Sequence, residues 1–202
     1  MSVASAHKQE GGAAPRPAGG TPPGIFPGLE EVRAIPVLQT ARLTLGPFSM
    51  GHFEAFAAFC QTERSVFLGG PTADRRDAWD SCMIHLGQWQ ARGYGAFFAT
   101  ETATGRPAGR ISIWHPITLD EPELSWVVFD GYEGKGIAAE GALAVRNWAA
   151  AQGMGPLMSL VAPENGASVR LAQRLGCREE GRHTYPSGAE VIRFRHSLGE
   201  AA

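Results

Sequence analysis

Between Leu124 and Ala139 the chain reads LSWVVFDGYEGKGIAA: an apolar run, a short polar break, then glycines that open a helix of small residues. The start of any helix leaves N–H groups without intrahelical partners, and Gly134 and Gly136 let the backbone gather them around one spot. That spot carries the positive end of the helix dipole and suits a phosphate. A pyrophosphate-bearing cofactor is therefore expected against Gly134, Lys135, Gly136, Ile137, Ala138 and Ala139. A tight strand-to-helix corner with no ligand is the plainer alternative, and the small residues Ala138, Ala139 and Ala142 in the opening turns speak against it.

Spacing separates the phosphate-binding patterns. A P-loop needs Ser or Thr after its Gly-Lys pair, and here Gly136 follows Lys135. The dinucleotide pattern Gly-x-Gly-x-x-Gly/Ala is met in form by Gly134, Gly136 and Ala139. Against it, Asp130 to Glu133 stand between the strand and the first glycine, and the segment after LMSLVA ends in a hairpin, too little chain to complete a doubly wound sheet.

The rest of the chain supplies elements of both kinds. Residues 1–33 are rich in Gly, Pro and Ala, with few bulky apolar groups beyond Ile25, Phe26 and Leu29, and read as a disordered tail. From residue 34 onward a single domain is expected. A half-buried strand runs from Ile35 to Pro47, alternating with one slip, and Ser49 caps a helix bearing Phe53, Phe56 and Phe59. A break at Phe67 to Thr72 precedes a helix from Asp74 with an apolar face through Trp79, Cys82, Met83, Leu86 and Trp89. AFFATE and AGRISIW form a hairpin about Gly105, followed by the strand ELSWVVF, the glycine-opened helix, the strand LMSLVA, a helix from Asn165 to Gly176, and a final hairpin. The predicted order is β-α-α-β-β-β-α-β-α-β-β, an α/β fold with a mixed sheet and helices on its faces.

A net charge of −2 removes the electrostatic case for nucleic acid as the main partner. Three scattered cysteines, Cys60, Cys82 and Cys177, lack metal or disulfide spacing, so no metal is expected. No apolar run is long enough to span a membrane and the N-terminus lacks a secretory apolar core, which together predict a cytoplasmic protein.

Four pieces in order carry a family resemblance. Glu133-Gly134-Lys135-Gly136-Ile137-Ala138 overlays the pattern Gln/Arg-x-x-Gly-x-Gly/Ala with Glu133 in place of the leading residue, LQTARLTL matches Leu-x-Thr-x-Arg-Leu-x-Leu, ARGYGAFFAT with TGRPAGRISI matches the second and third strands, and NGASVRLAQRLGC matches Asn-x-x-Ser followed by Leu-Gly-Phe with Cys177 in the Phe place. From about Leu38 to His196 the chain resembles the GNAT superfamily of N-acetyltransferases, within it the ribosomal-protein-alanine acetyltransferase (RimJ/RimL-like) type. The resemblance implies the GNAT-type acyl-CoA N-acyltransferase fold and acetyl-CoA lying between the strand ending at Phe129 and the strand LMSLVA.

It also implies direct attack of a primary amine on the thioester, with backbone N–H groups near Val127 and Val128 polarising the carbonyl, Phe129 and Asn165 beside the cofactor, and Ser168 approaching the thiol. Glu123 at the start of the cofactor strand is the best general base, with an exposed strand-start charge as its plainer reading; His115 is the second candidate. Tyr185 is an alternative lining residue and Trp126 is expected in the core. The acceptor site is expected between the Phe67 to Thr72 break, the helix from Asp74 and the tip Pro186 to Gly188. Arg182, His183, Arg193 and Arg195 make the last hairpin basic, which would suit an acidic acceptor or be a solvated face. An acetyl-CoA-binding module without turnover and, further off, a dinucleotide-binding protein stay open, as does homodimerisation through a sheet edge or the final hairpin.

Overall fold

Alternating apolar residues give the chain its strands, and a computed structural model, which describes residues 34–185 and 188–198, assembles them into one eight-stranded sheet. The strands are β1 (Leu38–Gln39), β2 (Leu43–Gly46), β3 (Ala96–Glu101), β4 (Pro107–Trp114), β5 (Glu123–Val128), β6 (Leu157–Val161), β7 (Arg178–Thr184) and β8 (Glu190–His196). Their spatial order is β1-β2-β3-β4-β5-β6-β8-β7, antiparallel throughout except for β5 with β6. The expected tail, residues 1–33, and the hairpin tip at Pro186 and Ser187 lie outside the described residues.

The expected first strand is two. The slip in its alternation is where the chain folds back: the Thr40 N–H donates to the Leu43 carbonyl at 2.9 Å, and β1 pairs antiparallel with β2. A short 3-10 helix, Glu63–Leu68, precedes and runs into the first two residues of the expected break at Phe67 to Thr72.

Helices α1 (Met50–Cys60) and α2 (Arg75–Arg92) cover one face, with Phe53, Phe56 and Phe59 buried against Phe98 and Val127 as their spacing predicts. Ser49 takes the cap position, and its backbone N–H is held by His52 Nδ1 at 3.2 Å. The buried side of α2 runs through Ala78, Cys82, His85 and Trp89, one step round from the predicted face, so Trp79 lies partly exposed at the edge. Helices α3 (Ile137–Ala151) and α4 (Gly166–Arg174) cover the other face. Gly141 lets α3 sit close on β4, since a Cβ there would lie 2.8 Å from the Ile111 side chain. Among the described residues no helix is long and apolar enough to cross a membrane.

Candidate active site

The sheet opens at its one parallel junction. β5 and β6 are in register only at Glu123 and Met158, and beyond that pair the ladder stops. Ser159 closes the root of the resulting cleft: its hydroxyl donates to the Leu124 carbonyl and lies 2.8 Å from His196 Nε2. Above this root the two strand edges diverge and leave backbone groups unpaired.

Strand alternation decides which groups those are. The Phe129 N–H donates to the Ala108 carbonyl, so with Arg110 opposite Val127 the N–H groups of Val127 and Phe129 both turn toward β4. The N–H groups of Trp126 and Val128 turn into the cleft. Of the expected pair, Val128 is thus the one with a free donor. Phe129 is displaced from the expected cofactor wall altogether: its ring is buried beside Phe56 on the α1 face and its N–H is spent on β4.

At the mouth of the cleft stands the N-terminus of α3. Gly134 and Gly136 have φ of +67° and +79°, the left-handed backbone their positions predict. A cavity of about 500 Å³ is lined there by Gly134, Gly136, Ile137, Ala138 and Ala139, with Val128 behind them. The loop is pinned from the opening hairpin. Arg42 donates from Nη1 to the Lys135 carbonyl at 2.8 Å, and Glu140 accepts from Thr40 Oγ1 at 2.6 Å and from the Arg42 backbone N–H at 2.8 Å. Burial raises the Glu140 pKa, but these hydrogen bonds outweigh it and hold the carboxyl below its usual range. Thr40 and Arg42, two residues of the opening strand pattern, therefore act as the anchor of the phosphate-type loop. Lys135 itself sends its ammonium over the Tyr132 ring, 5.6 Å from the centroid, rather than into the lining.

Arg64 is a site residue that sequence reading missed. From the 3-10 helix it reaches the same cavity, contacts Glu133, pairs with Asp130 at 2.6 Å and donates to the Val128 carbonyl at 2.7 Å. Nothing in its local sequence signals this, because the helix that carries it has no strong pattern.

Asn165 caps α4, its Oδ1 accepting from the Ser168 N–H at 3.1 Å. Ser168 in turn accepts at Oγ from the Trp126 indole N–H at 3.1 Å. Trp126 is half-buried in the cleft, not sealed in the core as expected; an even-numbered position on β5 faces α4 where the strands have parted.

A second cavity, of about 650 Å³, lies on the α1 and α2 side and meets the first at Trp126, Asn165 and Ser168. Glu123 and Tyr185 line it. Burial pushes the Glu123 carboxyl up to about 7, against a hydrogen bond from the Leu160 backbone that pulls the other way. Burial and then the charge of Glu123 push the Tyr185 hydroxyl up to about 12. Phe67, Leu68, Gly70 and Thr72 from the expected break and residues of α2 also line it. His115 is elsewhere, bound through Nδ1 to the Tyr94 hydroxyl at 2.6 Å and absent from the lining. Arg193 and Arg195 are also taken from the acceptor role, since both are ion-paired to Glu121 and Glu180. Among the described residues no group of His, Cys, Asp and Glu is arranged to hold a metal.

The model of the acetyltransferase (GNAT) domain matches residues 42–178, more than half of the chain. The chain belongs to the GNAT acetyltransferases. An acetyltransferase from Agrobacterium tumefaciens str. C58 shares 34% identity over 81% of this chain and 95% of its own, with a TM-score of 0.74. A chain assigned to the GNAT acetyltransferases from Bordetella pertussis shares 26% over 80% and 99%, with a TM-score of 0.68. The fold is also that of RimL, a ribosomal L7/L12 α-N-protein acetyltransferase solved with coenzyme A, at 17% identity, 80% and 97% coverage and a TM-score of 0.61. As a GNAT protein the chain is an N-acetyltransferase.

Proposed function

We propose that this GNAT domain moves the acetyl group of acetyl-CoA to a primary amine, on a protein N-terminus or a small molecule, by direct attack of the amine on the thioester. The observation that carries the reading is Glu123: a carboxyl at the point where β5 and β6 part, with its pKa pushed up to about 7, in the cavity that meets the α3 cavity at Ser168. A base with a pKa near the working pH combines availability with driving force.

The residues present fit the cofactor. A backbone cradle of Gly134 and Gly136 with the free N–H groups of Ile137, Ala138 and Ala139 would hold its pyrophosphate, and the parted edges of β5 and β6 would take its pantetheine arm. When bound, acetyl-CoA supplies the thioester carbonyl that the amine attacks. Glu123 takes the proton released by the ammonium group, directly or through water. The cleft-facing N–H groups of Val128 and Trp126 would stabilise the charge that grows on the carbonyl oxygen. As the N–C bond forms and the C–S bond breaks, the attacking nitrogen gives its second proton to water and the leaving thiolate takes one from water, while Ser168, whose oxygen already accepts from Trp126, would turn its own hydrogen toward the sulfur. The RimL-like fold and the opening motif favour the RimJ/RimL-like type. Residues 34–202 are read as one domain, and three free cysteines support a reducing, cytoplasmic setting.

Calorimetric titration with acetyl-CoA, joined to a thiol-release assay over a panel of peptide N-termini, amino acids and polyamines, tests the proposal. Binding with turnover on at least one amine is expected. Absence of CoA binding, or binding with no thiol released by any amine, would overturn it.

A further inference from the structure

Arg110 stands near the middle of β4 on the face covered by α1 and α2, and it is 6% exposed. Its Nη1 donates to Ser81 Oγ at 3.0 Å and its guanidinium lies 4.4 Å from the centroid of the Phe56 ring. Among the described residues it has no carboxylate partner. A buried cation without a counter-charge is costly, and natural interiors pair such groups. Here the guanidinium lines the larger cavity, the one that also holds Glu123.

A second group in the same cavity is incomplete in the same way. His85, 7% exposed and set edge-on against Trp114, also lines it, and its Nδ1 has no hydrogen-bond partner among the described residues. Burial, and after it the charge of Arg110, keep this imidazole neutral at ordinary pH. The two carboxylates on the α2 side of the cavity, Asp77 and Asp80, are exposed, and Asp77 is bonded to Thr72 Oγ1; neither is ion-paired with Arg110.

We infer that the acceptor amine carries a carboxylate, which Arg110 binds inside the cavity while the amine lies at the Glu123 end. The inference rests on the acetyl-transfer reading above and narrows it to amino acids. Strand geometry sets the scale. Arg110 is opposite Val127, four residues along β5 from Glu123, about 13 Å at about 3.3 Å per residue, and both side chains reach into the gap from that base line. Arginine suits the task, because its planar fork can hold a carboxylate by two parallel hydrogen bonds. The neutral His85 ring supplies a further polar contact at the same end.

The test compares α- and ω-amino acids with their primary amides on the wild-type protein and on Arg110→Met. Binding is read by calorimetry on the CoA-loaded protein, and transfer by thiol release. For the best acceptor the acid should bind about 10-fold to about 100-fold more tightly than its amide, as a charged hydrogen bond in a buried site implies. In Arg110→Met that ratio should fall toward one. The variant should keep its CoA affinity and melt no lower than wild type, since the substitution removes an uncompensated buried charge; this separates loss of recognition from loss of folding. Equal binding of acid and amide, or an acid preference that survives in Arg110→Met, would overturn the inference. Failure of every amine to release thiol would instead sink the transfer reading, while the acid-to-amide binding ratio still decides this one.

Discussion

The Trp126 indole N–H donates to the Ser168 hydroxyl oxygen at 3.1 Å, joining the free edge of β5 to the first turn of α4 across the cleft. A hydroxyl that accepts from an indole has its own hydrogen left to direct elsewhere, and the indole fixes where the oxygen sits. Ser168→Ala should lower kcat by about 100-fold, the lower end of general-acid contributions, with a smaller change in acetyl-CoA affinity. Trp126→Phe keeps the ring and removes the donor, so it should reduce kcat in the same direction but less. Steady-state kinetics beside calorimetry make the comparison; a larger loss in affinity than in turnover would reduce Ser168 to a binding residue.

Gly136 sits at φ +79° at the cap of α3, with Arg42 Nη2 3.4 Å from where a Cβ would stand. A left-handed backbone costs an L-residue about 1 to 2 kcal/mol, so even Gly136→Ala is expected to weaken acetyl-CoA binding by shifting the cradle. Gly136→Asp adds a negative charge against the pyrophosphate and should abolish detectable binding. Calorimetry that finds the Asp variant as tight as wild type would remove the phosphates from this loop.

How far such features could be read in advance depends on whether the signal is local. The glycine loop and the aromatic stripe of α1 are written in consecutive or helically spaced residues, and both were legible. The hairpin at Thr40 was legible only as a slip in alternation, because two short strands and one longer one share the same apolar positions. The placement of Trp126 required knowing that β5 and β6 part after a single registered pair. Arg64 and Arg110 were invisible for the same reason: each owes its role to what the fold brings over it, and neither lies in a motif.

Arg64 holds the charge balance of the α3 cavity. It is paired with Asp130 and contacts Glu133, the residue that stands where the family pattern has Gln or Arg. Glu133→Gln should release the guanidinium toward a bound pyrophosphate and tighten acetyl-CoA about 2-fold to about 5-fold, the scale of a partly exposed charge pair. Arg64→Ala should weaken binding by a similar factor. Both effects should shrink as salt is raised, and titrations at low and high ionic strength read them directly.

Glu123 links pH to rate and to stability with opposite signs. With its pKa pushed up to about 7, the carboxylate form needed as base grows through neutrality, so kcat/KM should rise with pH across about 6 to 8 and flatten above. Folding runs the other way. The unfolded chain ionises this carboxyl near its ordinary 4.5, and the folded chain holds its proton until about 7, so stability declines between those values by up to about 3 kcal/mol. Glu123→Gln should therefore lose the pH-dependent limb of activity and gain thermal stability at pH 8 relative to wild type, with the gain fading at pH 4. Thermal melts across pH and a rate profile give both halves; a variant with an unchanged profile would move the base elsewhere.

His196 makes the root of the cleft acid-sensitive. It is 3% exposed, lies 2.8 Å from Ser159 Oγ and 3.2 Å from Cys177 Sγ, and is driven down to about 4 chiefly by burial, with Arg146 and Arg195 adding to the effect. Its folded pKa lies below the ordinary 6.5, so as pH falls from about 6.5 to about 4 the unfolded chain takes up a proton that the folded chain refuses. Stability should be lost over that window by up to about 3 kcal/mol. The Ser159 hydroxyl bridges this ring to the Leu124 carbonyl, so acid should loosen the junction of β5 with β6 and β8 first. Denaturant unfolding at pH 7, 5.5 and 4.5 tests this: His196→Gln should start less stable than wild type at pH 7 and lose less on acidification. Parallel pH slopes in the two proteins would show that the acid sensitivity comes from other groups.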